Sequence, residues 1–523
     1  MPESLSGTWI VLRFSICVLS AFLFVALGFA ASQTAPSKNV RDLLEKAKSA
    51  GQRGSFDEAA RLYREILTIK PGWLPAEFDL AVSYHFAGKY PEAISWFNNA
   101  IRLDPSIASA YFLRGIDYYQ TNEYPKALAS LKRALELQPD NTEARFYLAA
   151  SYHQLNDFTN AALAYLDEIR AEPRKGDPYF QLVQCYERLE QIALHELESA
   201  PGADYFVLLL EAEKDIEQGN GAAAESQAKL ALDVDQAAPE AWFILGKAAQ
   251  QNGEAERATA QFQHAREAEK NVSPRFRAVI DAALNTLLDC AAAGNFGRSL
   301  CRAAGGDISE ATALVVAGAR SNRRDARALY WSAQVYRRLA QSAMAILAQL
   351  SPDSPNLLKL YARAYELKGQ RDAAAQAYER AVALDDQDAS TLIEYANFSS
   401  RGQEFDKAAS LLERAVALTP YDIQAQILLG QAYLESGQDE RAVDCLSRIL
   451  KANPQNEAVR LELADALHTL NRLREAVSVL RSAPNDPDGR ISYMLATCYA
   501  RLGETENARR MMRLFEQRKK PSK

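Results

Sequence analysis

The chain is short of the residues that usually carry chemistry: in 523 residues there are five histidines, six cysteines and five methionines. His195-Glu196 runs on into Leu197-Glu198-Ser199, so it lacks the second histidine with which a helical zinc-protease site holds its metal. No glycine-rich loop leads into Lys-Ser or Lys-Thr, and no Gly-x-Ser-x-Gly elbow occurs. No catalytic residue, metal or cofactor is therefore expected, and the chain reads as a non-enzyme. Positive charge is not in excess either. Lys and Arg number 60 against 67 Asp and Glu, a net charge of −7, and a surface without surplus cations cannot neutralise a phosphate backbone. Nucleic acid is excluded as an expected partner.

Long apolar runs are equally scarce, with one exception. Residues 14–31 are apolar or small throughout, preceded by Arg13 and followed by Ser32-Gln33-Thr34. That pattern predicts an export signal, with Gly28 and Ala30 fitting a small-x-small cleavage site after Ala30. The run also reaches the lower length limit of a membrane span. Residues 1–31 are thus either a cleaved signal peptide or an uncleaved anchor, and in both cases the rest faces an extracytoplasmic compartment, periplasmic or secreted. Membrane contact is expected only through that segment if it is retained. Beyond it stand Cys185, Cys290, Cys301, Cys445 and Cys498, too scattered for a disulfide framework. Only Cys290 and Cys301 are close in sequence. They either pair in an oxidising compartment or are two small buried residues.

What the sequence does have is a period. Ala59, Ala93, Ala127 and Ala161 stand 34 residues apart, and so do Pro71, Pro105, Pro139 and Pro173. Tyr84, Tyr118 and Tyr152 keep the same step, as do Phe56, Tyr90, Tyr124 and Phe158. Within a period, apolar residues recur at three- and four-residue steps on both sides of a turn at Gly88 and Lys89, which predicts two amphipathic helices per repeat. Ala81, Gly115 and Ala149 fall where the first helix must be approached closely by the second, and Ala93, Ala127 and Ala161 answer them. The prolines end the second helix, which they cannot continue.

This pattern resembles the tetratricopeptide repeat (TPR), with its small residues at the eighth, twentieth and twenty-seventh positions, aromatics near the eleventh and seventeenth, and proline at the thirty-second. The resemblance implies an all-α, right-handed superhelical solenoid of antiparallel helix pairs with about 11–12 repeats. Repeats begin near Val40, Leu74, Ala108, Thr142, Tyr205, Pro239, Pro355, Ala389, Ile423, Glu457 and Gly489. The expected organisation is a four-repeat array at 40–173, degenerate and then regular units at 174–268, an irregular helical joint at 269–328, units at 329–420 that duplicate 179–268, and a C-terminal array and cap at 421–518. Two stretches, 174–204 and 322–354, are helical in pattern but have no mid-repeat glycine turn. They match each other at an offset of 150 residues: Tyr186, Leu189, Gln191, Ala193 and Leu197 against Tyr336, Leu339, Gln341, Ala343 and Leu347. In a solenoid every contact is expected to be local in sequence.

In TPR proteins the first helix of each repeat lines the concave face, and the resemblance carries this to Phe78, Phe112 and Phe146 at the fifth position. Val82 and Ile116 lie at the ninth position, and His85, Tyr119 and His153 at the twelfth. These residues are expected to form an aromatic groove for a peptide or protein segment, with the three phenylalanines surplus to the core. The C-terminal array offers a more polar face: Lys359, Arg363, Asn397, Gln431, Asp465 and His468. The functional expectation is an exported, bacterial-type protein-interaction scaffold in envelope assembly or secretion. The alternative is a regulatory or substrate-presenting subunit of an enzyme acting on envelope polysaccharide or cell-wall polymers.

Overall fold

A computed structural model describes residues 38–235, 239–268, 307–320, 324–420, 422–483, 485–486 and 488–519. The segment expected to direct export, Cys290, Cys301 and most of the expected joint lie outside the described residues. Those that are described form α-helices joined by short turns, with no strand among them. Each of the eleven repeat starts read from the sequence falls within two residues of an observed helix start, from Lys38–Gln52, Leu74–Phe86, Ala108–Gln120 and Thr142–Gln154 through to Arg490–Arg501. The helix that follows each one across a tight turn packs back against it, so the pairs are antiparallel.

The physical causes recur with the period. The turn inside a repeat needs one residue in the left-handed region, found at Gly54, Gly88, Asn122 and Asn156, and again at Gly369, Gln403, Gly437 and Asn471. Glycine takes this conformation without penalty and asparagine tolerates it. The first helix is often capped from the residue before it. Asn141, Ser354, Asp388, Asp422 and Asn456 accept backbone N–H bonds with their side chains, the last four at 34-residue steps. Pro71, Pro105, Pro139 and Pro173 each lie two residues beyond the end of a second helix. Inside the pairs the small residues do what close approach demands. Ala59, Ala81, Ala93, Ala127, Ala149 and Ala161 are fully buried. A Cβ added to Gly115 would lie 2.7 Å from Cγ of Leu131, itself fully buried.

The described chain divides into two units between Asp353 and Ser354. In the unit Ser354–Lys523, five consecutive helix pairs stack on a shared core that runs from Ala362 through Leu412, Leu446 and Leu463 to Leu495.

The unit Ser32–Asp353 departs from a simple stack. Where the sequence lacks a glycine turn, the chain forms two long helices, Gly176–Glu198 and Ala326–Leu350, and these pack on each other. Gly176 lies against Leu347 while Tyr186 stacks on Tyr336 at 6.4 Å, so the two helices run antiparallel. Tyr186 and Tyr336 are equivalent positions of the 150-residue duplication. The two copies therefore meet each other rather than only their chain neighbours. The expectation that every contact is local is corrected here. The hydroxyl of Tyr186 meets Oγ1 of Thr312 at 2.5 Å, and Arg337 bonds Glu190 at 2.7 Å across 147 residues. Apolar periodicity gave each long helix its buried faces but could not say which partner would cover them.

Candidate functional site

The predicted aromatic face is present, but much of it is interior. Phe78, Val82, His85, Ile116, Tyr119 and His153 are all buried, whereas Phe112 and Phe146 are partly exposed. The rings contact one another across the repeats. Tyr147 meets Phe112 at 6.4 Å, Tyr119 at 5.6 Å and Phe146 at 5.6 Å, and Phe146 reaches Tyr165 at 6.3 Å. Phe78 packs edge-on against Phe97 at 5.9 Å, and His153 against Phe158 at 5.2 Å. The expectation that Phe78 is surplus to the core is corrected: it sits in the packing between the two helices of its own repeat. Phe112 and Phe146 are the two phenylalanines of this ladder that keep surface.

His85 has a specific partner. Its Nδ1 and Oδ1 of Asp117, on the first helix of the next repeat, share a hydrogen bond with both side chains buried. Burial pushes the Asp117 carboxyl up from its usual range, and the facing imidazole opposes that shift. The bond ties consecutive first helices together, which makes His85 structural in this conformation.

The long-helix pair holds a second polar assembly that the sequence did not disclose. Arg337 bonds Glu190 and lies 3.8 Å from Glu213 and 3.6 Å from Glu217. Glu213 also accepts from Tyr330 at 2.7 Å and from Gln334 at 2.5 Å. Nearby, Glu240 faces Arg327 at 3.0 Å and accepts from Trp331 and from Tyr205 at 3.4 Å. Burial raises the carboxyl pKa of Glu190, Glu213 and Glu240, and the arginine beside each holds it down. Satisfied buried carboxylates of this kind fix the packing of one long helix on its neighbours. Among the described residues no cluster of His, Cys, Asp and Glu is suited to a metal ion. Cys185, Cys445 and Cys498 are free and buried, and desolvation raises their thiol pKa, which leaves them unreactive.

In the unit Ser354–Lys523 the inward positions are polar and mostly paired. Nζ of Lys359 bonds Asp388 at 3.2 Å with both side chains buried, Arg363 pairs with Glu394 at 2.9 Å, and the Gln431 amide donates to Glu462 at 2.7 Å. Arg501 donates to the carbonyl of His468 at 3.0 Å, and burial together with that guanidinium lowers the imidazole pKa. Asn397, Gln431 and Asp465, all at the ninth position of their repeats, line an open groove of about 1160 Å³. Three of the six polar positions assigned from the sequence line this concavity, whereas Lys359, Arg363 and His468 are not among its lining residues.

Tetratricopeptide-repeat family models match residues 74–140, 112–178, 357–390, 402–457 and 446–491. No curated protein matches the chain. Among solved structures, the complex of Naa15 and Naa10 bound to HypK is similar at 14% identity, covering 93% of this chain and 94% of that one, with a TM-score of 0.30. The MamA protein is similar at 16% identity over 45% of this chain and 94% of its own, with a TM-score of 0.22. PilF of Pseudomonas aeruginosa is similar at 18% identity over 34% of this chain and 82% of its own, with a TM-score of 0.29.

Proposed function

Because this chain is a tetratricopeptide-repeat protein, we propose that it is an exported scaffold, without catalysis of its own, that holds segments of other proteins during envelope assembly or secretion. The observation that carries the binding reading is the pair Phe112 and Phe146. They occupy the same position in consecutive repeats and are partly exposed at the end of an otherwise buried aromatic cluster. Aromatic rings held rigid by their neighbours anchor a partner at low entropic cost, and a few such anchors supply most of the affinity of a protein interface. The proposed face thus centres on Phe112 and Phe146, with Phe78, Val82, His85, Ile116, Tyr119 and His153 forming the packed layer beneath and beside them. Export is supported by the apolar run at 14–31 and its polar flanks.

The test is selection from a displayed peptide library by residues 32–523, run beside the double variant Phe112→Ala/Phe146→Ala after circular dichroism has shown it folded. Peptides with aromatic or aliphatic anchors should be enriched by the parent and lost with the variant. Identical selections from the two proteins would move the site elsewhere. Fusion of residues 1–40 to a phosphatase that is active only outside the cytoplasm reports on export separately, and an inactive but full-length fusion would remove that part of the reading.

A further inference from the structure

The groove of the unit Ser354–Lys523 carries a charge pattern that the proposed function does not use. It is lined mainly by first helices of successive repeats, Ala389–Arg401, Ile423–Glu435, Glu457–Thr469 and Arg490–Arg501, with Phe405, Leu412, Asp439 and Phe515 from second helices, and its volume of about 1160 Å³ exceeds the roughly 300–1,000 Å³ of small-molecule pockets. A space of that size and openness suits a stretch of polypeptide. Its walls include Leu428, Leu461 and Met494, each partly exposed, and Tyr493, which is 49% exposed.

The cations near this face are already engaged. Arg363 is bound to Glu394, Arg490 lies against Asp488 and Glu457, and Arg501 is turned onto the His468 carbonyl. The carboxylates are not. Glu435, Asp439 and Asp465 line the groove with no Lys or Arg ion pair among the described residues, and Asp465 acts electrostatically on the His468 imidazole. Glu462 accepts the Gln431 amide on Oε1, while its Oε2 is buried without a partner and its pKa is raised by that burial. Glu435, Asp439 and Asp465, set around apolar walls, give the groove a negative field that favours a cationic partner, and steering of this kind helps decide which partners bind.

We propose that this groove is a second docking site and takes a Lys- or Arg-bearing amphipathic segment of another protein, its apolar side on Leu428, Leu461, Met494 and Tyr493 and its cations on Glu435, Asp439 and Asp465. The site shares with the proposed function only that the chain binds protein segments. It lies in the other unit from Phe112 and Phe146 and carries the opposite selectivity from a purely apolar anchor site.

The test uses the full chain and two synthetic 18-residue helical peptides with leucine along one face, one with lysine and one with glutamate on the other, followed by fluorescence anisotropy. The lysine peptide should bind and the glutamate peptide should not. The variant Glu435→Gln/Asp439→Asn/Asp465→Asn should weaken binding about tenfold or more, the combined scale of three partly screened ion pairs. A control variant with the same change in net charge, Glu92→Gln/Glu211→Gln/Asp233→Asn, should bind as the parent does, and so should Phe112→Ala/Phe146→Ala. Thermal melts of each variant separate lost binding from lost folding, and Leu461→Lys supplies an independent repulsive change in the same groove. Equal binding of the two peptides, or equal weakening by groove and control variants, would overturn the proposal. Self-association of the chain that the groove variant abolishes would overturn it too, because the occupant would then be a second copy. Loss of lysine-peptide binding in Phe112→Ala/Phe146→Ala alone would place cation recognition at the first site.

Discussion

Arg337 ties Ala326–Leu350 to Gly176–Glu198 and Ala203–Glu217 through its ion pairs, and its replacement by methionine tests how much that tie contributes. Methionine keeps an apolar stem in the same space and removes only the guanidinium. In the parent that group bonds Glu190 at 2.7 Å and lies within 4 Å of Glu213 and Glu217. Its side chain is 27% exposed, and those of Glu190 and Glu213 are 17% exposed. Breaking a fully buried pair by removing one partner costs about 3–5 kcal/mol, and an exposed pair about 0–1. The partial exposure of Arg337 and the two bonds that Glu213 keeps from Tyr330 and Gln334 place the expected loss between these limits, at about 2 kcal/mol. The loss should be confined to the long-helix pair and the helices it closes. Hydrogen exchange at Ala203–Glu217 and Ala326–Leu350 should accelerate roughly 30-fold, while the amides of residues 74–171 stay as protected as before. The sign with pH follows from the carboxyls. Folding raises the pKa of Glu190 and Glu213 above their unfolded values, and Arg337 is what opposes the rise. Groups raised in the fold destabilise it when ionised and cease to do so as pH falls through the folded pKa. The deficit of the variant relative to the parent should therefore shrink between pH 7 and about 5. Equal exchange in parent and variant at pH 7, or a deficit that grows on acidification, would refute the reasoning.

Gly115→Ala and Gly246→Ala both place a Cβ within 2.7 Å of a neighbour, but Leu131 is fully buried whereas Phe262 is partly exposed and can yield. Overpacking of about 1–3 kcal/mol against a helix-propensity gain of about 1 should leave Gly115→Ala destabilised and Gly246→Ala near neutral by denaturant melts. Gln403 occupies the left-handed turn position that glycine holds at Gly88, Gly369 and Gly437. Gln403→Gly should stabilise by about 0.5–1 kcal/mol and Gly88→Ala should destabilise by about 1, and matching signs for the two would count against the turn argument.

The repeat was legible because its causes are local. A proline two residues past each second helix, a small residue where the pair closes, and a left-handed residue in the turn are all properties of single positions, and each recurs at 34 residues. The capping series Ser354, Asp388, Asp422 and Asn456 was equally available and adds a second boundary signal. What could not be read was pairing at a distance. Tyr186 and Tyr336 are buried aromatics on helical faces in any account of the sequence, but their stacking depends on the chain between them returning one copy of the duplication to the other. The match at an offset of 150 residues identified the two helices as alike. Likeness alone does not imply contact.

The inward register of the first helices shows why the same position gave interior in one unit and a groove in the other. Val82, Ile116 and Ala150 at the ninth position are buried, because apolar side chains gain by closing the space between successive first helices. Asn397, Gln431 and Asp465 occupy the identical position and line open space, because an amide or carboxylate loses solvation unless a partner replaces it. Lys359 and Asp388 mark the boundary of that rule. They are polar and inward, yet buried, because each is the partner the other needs. Exposure on this face is thus decided by whether a polar residue finds its complement inside the chain. Glu435, Asp439 and Asp465 find no Lys or Arg ion pair among the described residues and stay hydrated on the open groove, which is why a cationic segment is the occupant proposed for it.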